Sequence, residues 1–205
     1  MTDAPAHKNP AFAVRDPLDP AFWDERFKRG FTPWDRGGVP QALRDFAAVS
    51  GPLVTLIPGC GAAYELAFLA DLGWDATAID FSPAAVQQAR AQQPAWQERI
   101  VEADFFTYTP PQALQLIYER AFLCALPRAM WPQAAARYAA LLPAGALLAG
   151  FFFFDTNPKG PPFGITPQQL GELLSPYFER IEDAAVGDSI SVFEGKERWQ
   201  IWRRL

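Results

Sequence analysis

The sequence predicts a doubly wound α/β domain, a mostly parallel seven-stranded sheet with helices on both faces and an antiparallel last strand. Three observations predict it. Leu53–Ile57 is a short apolar run that turns through Gly59-Cys60-Gly61 into a helical segment, as a buried parallel strand does. A second strand-like run, Ala76–Asp80, follows about one helix later and ends in an acid. Strand and helix patterns then alternate to Phe154, before a closing pair of strands. Alternation of this kind marks a parallel sheet covered on both faces.

Residues 1–18 are polar, with Ala and Pro and no periodicity, and read as a flexible or loosely draped leader. Residues 19–205 read as a single domain, because 205 residues at 50% hydrophobic content suit one core. Asp19 caps a first helix with Pro20 at its first position, and Phe22, Trp23 and Phe27 form its apolar side. Gly30–Gly38 is an aperiodic loop that presents Trp34. Trp34 reads as part of a lid over a ligand, or alternatively as an anchor for the first helix. Pro40–Val49 is a second helix with Leu43, Phe46 and Ala47 inward.

The first strand, Leu53–Ile57, leads into a helix over Ala62–Leu72 that stops at Gly73. After the second strand, Ser82 caps a helix opened by Pro83 and running to about Gln92. Residues 99–101 form a short third strand and Leu114–Glu119 the fourth. Arg128–Leu142 is helical, with Pro132 near its true start. Ala146–Phe154 is the fifth strand, and the Asp155–Gly164 loop breaks the pattern beyond it. Thr166 caps a helix opened by Pro167 and reaching about Leu174. Phe178–Val186 and Arg198–Leu205 close the sheet as an antiparallel pair, with a turn around Glu194–Lys196.

Composition excludes several functions. The net charge is -5 and Lys and Arg are dispersed, which argues against a nucleic-acid partner. No apolar run reaches the ~18 residues of a membrane span, and the N-terminus lacks a signal-peptide pattern. Two cysteines, Cys60 and Cys124, make no disulfide framework, and a single histidine, His7, leaves no zinc cluster. The expectation is a soluble, cytoplasmic monomer that acts on a small molecule and holds no metal.

A Gly-rich first turn paired with an acid closing the next strand points to a nucleoside, whose ribose hydroxyls Asp80 accepts. Residues 59–64 lack the third glycine of the dinucleotide fingerprint, and no phosphate-binding Gly-Lys loop exists. A nucleoside with little phosphate, such as S-adenosylmethionine, fits best. A nicotinamide site and a tight turn without ligand remain the alternatives. The strand ends then form a ledge. Asp104 accepts from the adenine amino group, with Phe105 against the ring. Glu65 steadies the first helical turn or touches the amino end of the ligand. Arg120 supplies a positive charge beside the acceptor, or pairs with Glu119. Cys124 and Cys60 are structural, since no histidine lies near to activate either.

Four pieces of the chain resemble one family. They are Phe22-Trp23 with Arg26, Gly30, Thr32 and Trp34; Ile57-Pro58-Gly59-Cys60-Gly61 with Glu65; Tyr118-Glu119-Arg120-Ala121 with Ala125-Leu126-Pro127; and Gly160-Pro161-Pro162-Phe163. Together they resemble the thiopurine S-methyltransferase superfamily of class I adenosylmethionine-dependent methyltransferases, from about Phe22 to the C-terminus. The resemblance implies a Rossmann-like sheet and an N-terminal segment, 19–49, that closes over the cofactor. It implies cofactor contacts from Trp23, Trp34, Gly59, Asp80, Phe81, Asp104 and Phe105, with Cys60, Gly61, Glu65 and Glu119 beside them. Family members commonly carry Asp where this chain has Glu119. Arg120 matches an acceptor-side arginine of the thiopurine enzymes, whereas Phe122 and Cys124 are similar to the halide and small-thiol branch. Phe154 and Phe163 are expected near the acceptor, and the bulk of Phe151–Phe154 favours a small or flat apolar one. The implied reaction is in-line methyl transfer to the sulfur of a small or aromatic thiol, with halide, thiocyanate, or the oxygen or nitrogen of a secondary metabolite as alternative acceptors, and a non-catalytic ligand-binding protein as the alternative to an enzyme.

Overall fold

In the computed structural model, which describes residues 11–205, seven strands form one sheet in the order β3-β2-β1-β4-β5-β7-β6. They are β1 (Val54–Pro58), β2 (Asp75–Asp80), β3 (Ile100–Glu102), β4 (Leu116–Arg120), β5 (Leu147–Phe153), β6 (Phe178–Ala185) and β7 (Glu197–Arg204). The first five run parallel. β7 lies antiparallel to both its neighbours, β5 and β6. The strand order reverses between β1 and β4, and α/β sheets bind ligands beyond the carboxyl ends at such a point.

Burial on both faces explains the apolar strand runs. Leu56, Ile79, Ile117, Leu148 and Phe152 face one layer, with Trp131, Tyr138 and Leu170 against them. Ile57, Ala78, Tyr118, Ala149 and Phe151 face the other, with Leu43, Leu66, Leu69 and Val86. The covering helices are α2 (Gln41–Ser50), α3 (Tyr64–Asp71) and α4 (Pro83–Gln92) on one side, and α5 (Trp131–Leu141) and α6 (Pro167–Leu174) on the other. Leu43, Phe46 and Ala47 turn inward from α2 as expected.

The helix starts follow local chemistry. The Asp19 side chain accepts from Ala21 N–H at the head of α1 (Pro20–Lys28), Ser82 accepts from Ala85 N–H at α4, and Thr166 forms a capping box with Gln169 at α6. Each has Pro in the first turn, where no N–H partner is missing. α3 starts two residues later than expected. Gly61 and Ala63 have φ of 51° and 55°, and a left-handed residue ends the possibility of a helical turn there. Arg128–Met130 forms a short 3₁₀ turn and α5 starts after it, with Pro132 in its first turn.

The leader expected over 1–18 falls partly outside the described residues, at 1–10. From residue 11 the chain lies along α1. Phe12 is buried with its ring 5.2 Å from Phe31. Ala13 N–H donates to Glu25 Oε2, and Trp23 Nε1–H donates to the Pro17 carbonyl. Trp34 packs edge-on against Trp23 and Phe27, at 5.4 and 6.0 Å between ring centres.

Candidate active site

A cavity of about 540 Å³ opens at the carboxyl ends of β1 to β4, well within the range of small-molecule sites. Its floor is the turn after β1. Cys60 N–H donates to the Ile79 carbonyl and fastens that turn to β2. Gly59 has φ of 61°, and a Cβ there would stand 2.8 Å from the Phe122 ring. Backbone curvature and the close aromatic both require glycine. Cys60, Gly61, Asp80 and Phe81 line the cavity around this turn. The Cys60 thiol is buried, and burial pushes its pKa well up, so it is inert.

Asp80 closes β2 with 7% of its surface exposed. Its Oδ2 accepts from Gly61 N–H at 3.2 Å and its Oδ1 from Ser82 N–H at 3.0 Å. Burial raises its pKa to about 6 against the pull of these donors. Glu65, in the first turn of α3, also lines the cavity, and burial raises its pKa while Arg120 lowers it. Asp104 is exposed at the cavity edge, and its Oδ1 accepts from Phe106 N–H at 2.9 Å. Phe105 is buried beside it, 5.0 Å from Phe122 in an edge-on pair. Trp23 and Trp34 line the opposite side.

Arg120, at the end of β4, points into the cavity. Its guanidinium lies 4.3 Å over the Phe151 ring and 3.8 Å from Glu197 Oε2. The side chain is 12% exposed, and neither terminal nitrogen has a hydrogen-bond partner among the described residues. Arg120 therefore pairs with Glu197, and the expected pair with Glu119 does not form.

Three expected site residues lie elsewhere. Glu119 does not line the cavity. Successive strand residues point to opposite faces, so when Arg120 faces the cavity its neighbour faces away. The Glu119 carboxylate instead accepts from Phe122 N–H at 2.8 Å and Leu123 N–H at 2.9 Å, shaping the turn that carries Phe122. Burial raises its pKa to about 7. Phe154 and Phe163 pack on the core layer beneath α5 and α6. Phe163 N–H donates to the Cys124 carbonyl, which turns Gly160, Pro161 and Pro162 toward the cavity in its place.

Sequence reasoning missed Val192 and Phe193. Both line the cavity from the β6–β7 connection, which it treated only as a turn near 194–196. The apolar run Ile190, Val192, Phe193 inside an otherwise polar loop was the available signal. Among the described residues no group of His, Cys, Asp or Glu converges as a metal site, and no helix is long and apolar enough to cross a membrane.

Known proteins are similar to this chain in sequence and fold. The thiopurine S-methyltransferase (TPMT) family profile matches residues 18–205. Thiocyanate methyltransferase 1 of Brassica oleracea is 27% identical over 191 residues, covering 89% of this chain and 84% of that protein. Thiopurine S-methyltransferase of Shewanella sp. (strain MR-4) is 28% identical over 184 residues, covering 79% and 84%. Among solved structures, Burkholderia thailandensis 1,6-didemethyltoxoflavin-N1-methyltransferase, with its substrate and S-adenosylhomocysteine bound, superposes with a TM-score of 0.73 at 17% identity, covering 95% of this chain and 93% of that one. That likeness establishes the fold, and the profile match over nearly the whole chain establishes more: the chain belongs to the thiopurine S-methyltransferase family of adenosylmethionine-dependent methyltransferases.

Proposed function

We propose that the protein transfers a methyl group from S-adenosylmethionine to the sulfur of a small or aromatic thiol. The residues fit the cofactor. Two buried acids, Asp80 and Glu65, face the same cavity beside the Gly59 turn. Asp80 accepts the ribose hydroxyls, Asp104 the adenine amino group, and Phe105 covers the adenine. Glu65 lies toward the amino end. The segment 19–49 serves as a lid through Trp23 and Trp34. When bound, the cofactor supplies a methyl group already activated on a positively charged sulfur. The chain has then only to align the acceptor and exclude water.

The observation that carries the acceptor assignment is Arg120. It is a buried cation paired at 3.8 Å with Glu197, with no hydrogen-bond partner on either terminal nitrogen among the described residues, bordered by Phe151 and facing a cavity end made by Ala121, Cys124 and Phe122. Such a site favours an acceptor with an apolar body and a negative charge. A thiolate meets both conditions, and it is the reactive form of a thiol. Thiocyanate, the substrate named for two of the relatives, meets the charge condition and is the second reading.

The test is S-adenosylhomocysteine production by the purified protein with benzenethiol, methanethiol, thiocyanate, iodide and phenol. Turnover of the thiols above the others supports the reading. Arg120→Ala then lowers kcat/KM for the anionic acceptors more than for phenol, because removing one charged hydrogen-bonding partner costs about 1.5–3 kcal/mol. Turnover of thiocyanate and iodide alone replaces it with the second reading.

A further inference from the structure

The connection between β6 and β7, residues 186–196, joins two parts of the cavity that are far apart in sequence. Phe193 is 3% exposed. Its ring packs edge-on against Phe153 at 5.6 Å and clusters with Cys124, bordered by Trp34, Ala121, Ile190 and Val192. Two turns hold the tip, with Phe193 N–H donating to Ile190 O at 2.8 Å and Lys196 N–H to Phe193 O at 2.9 Å. Val192 and Phe193 thus wall the end of the cavity that Arg120, Ala121 and Cys124 also line.

The same loop is tied to the segment carrying Trp34. Arg36 Nη1–H donates to the Asp188 carbonyl at 3.0 Å and to Asp188 Oδ2 at 2.8 Å. Gln41 N–H, at the head of α2, donates to that same carboxylate oxygen at 2.9 Å. The two side chains are 21% and 32% exposed. A half-buried pair with two hydrogen bonds spanning 152 positions, and a third from Gln41 spanning 147, is more than an isolated surface contact, which contributes little. It makes the Trp34 segment and the Phe193 loop one unit.

We infer that Phe193 sets the upper size limit of the methyl acceptor, and that Arg36 and Asp188 are positioning residues that hold this wall against the Trp34 segment. The inference rests on the acceptor end assigned above. Phe193 packs against Phe153 and beside Cys124 at this end of the cavity, and on this inference its ring is what a two-ring thiol meets and a one-ring thiol clears. Asp188 lies outside the cavity lining and acts through the loop, whereas Arg36 also borders the cavity and its charge lowers the pKa of Glu65. Their loss lets the wall recede without altering the turn at Gly59 or the acid at Asp80.

The experiment measures, by calorimetry on the full chain saturated with S-adenosylhomocysteine, the affinities of benzenethiol and 2-naphthalenethiol, together with methylation rates for both. Forms compared are the unaltered protein, Phe193→Ala, Phe193→Leu, Arg36→Met and Arg36→Lys. The expected result is a preference for benzenethiol that shrinks tenfold or more in Phe193→Ala, within the ~10–200-fold range of pocket-size discrimination. It shrinks less in Phe193→Leu, and shrinks in Arg36→Met but returns in Arg36→Lys, with S-adenosylhomocysteine affinity held in both Phe193 variants and in Arg36→Lys. A purely structural role would lower the unfolding midpoint and leave the size preference fixed. A preference unchanged within twofold in both Phe193 variants overturns the inference, as does failure of either thiol to bind any form. Binding with the expected size shift but no S-adenosylhomocysteine production from a thiol overturns the thiol-methylation reading instead and leaves the wall assignment standing.

Discussion

Asp24 of α1 caps a helix that is not its own. Its Oδ1 accepts the Ser82 hydroxyl at 2.5 Å and the Ala84 N–H at 3.0 Å, across 58 positions of sequence. Burial pushes the Asp24 carboxyl up, but the Ser82 and Ala84 donors outweigh it and hold the pKa below the ordinary aspartate value. The N-terminal helix, with Trp23 on it, is thereby fixed to the start of α4, two residues after Asp80. Asp24→Ala should lower stability by about 1 kcal/mol and weaken S-adenosylhomocysteine binding several-fold. A double-mutant cycle with Ser82→Ala, read by denaturant midpoints and calorimetry, should give non-additive losses. Additive losses would mean that the two side chains do not work as a pair.

Cofactor affinity should depend on pH through Asp80. On the proposed assignment, ribose hydroxyls donate to the ionised carboxylate, and burial raises the Asp80 pKa to about 6. Affinity for S-adenosylhomocysteine should therefore rise from pH 5 to about pH 7 and then level. The same raised pKa acts on folding with its own sign. The folded chain binds more protons than the unfolded chain between about pH 4 and 6, so this group's contribution to stability falls as pH rises through that window. Asp80→Asn should flatten the affinity profile at a weak value. A titration that stays steep in the variant would assign the dependence to another group.

Glu119 is predicted to be a structural acid rather than a ligand contact. Its Oε1 satisfies two backbone donors while Oε2 has no partner. Glu119→Ala should cost about 1–3 kcal/mol for each buried N–H left unpaired, and loosen the turn under Phe122. Glu119→Gln keeps an oxygen at the same place and removes a charge whose burial is unfavourable above about pH 7. It should be far milder, and mildest at pH 8. Thermal unfolding at pH 6 and pH 8 distinguishes the two variants, and equal losses for both would refute the assignment.

Gly150 should tolerate no side chain. It lies beside Glu119 in the β4–β5 register, and a Cβ there would stand 1.8 Å from the Glu119 carbonyl oxygen. That obstacle is backbone in a central strand, with nowhere to move. Gly150→Ala should cost about 3 kcal/mol or more, seen as a lower denaturant midpoint or as insoluble expression. Gly171, which has open space around the corresponding position, is the control, and Gly171→Ala should be neutral or slightly stabilising.

What was legible in the sequence is what local chemistry decides. Asp19-Pro20, Ser82-Pro83 and Thr166-Pro167 each announce a helix start within two residues, and the structure caps all three there. Gly59, Gly61 and Asp80 were legible because a turn and a strand end are short-range objects. Glu119 and Arg120 were both assigned to the cavity although neighbours in a strand face opposite ways, so one of them had to turn from it. Phe154 lies one residue past the end of β5, and Phe163 in a loop, where the chain has no period to say which side chain points inward. The Asp24–Ser82 and Arg36–Asp188 pairs, and the approach of Phe193 to Cys124, depend on how distant segments meet. No local pattern records that.

The position of β7 has a consequence for the order in which the molecule is completed. Synthesis proceeds from the N-terminus, so β5 and β6 emerge before the strand that separates them. β6 pairs with β7 alone and has no place in the sheet until β7 arrives. Glu197, which faces Arg120, is the first residue of that strand, and Phe193 stands just before it. The sheet and the end of the cavity lined by Phe193 are therefore finished by a single late event, and a nascent chain that has made β1 to β5 holds the Gly59 turn before Phe193 and Glu197 are in place.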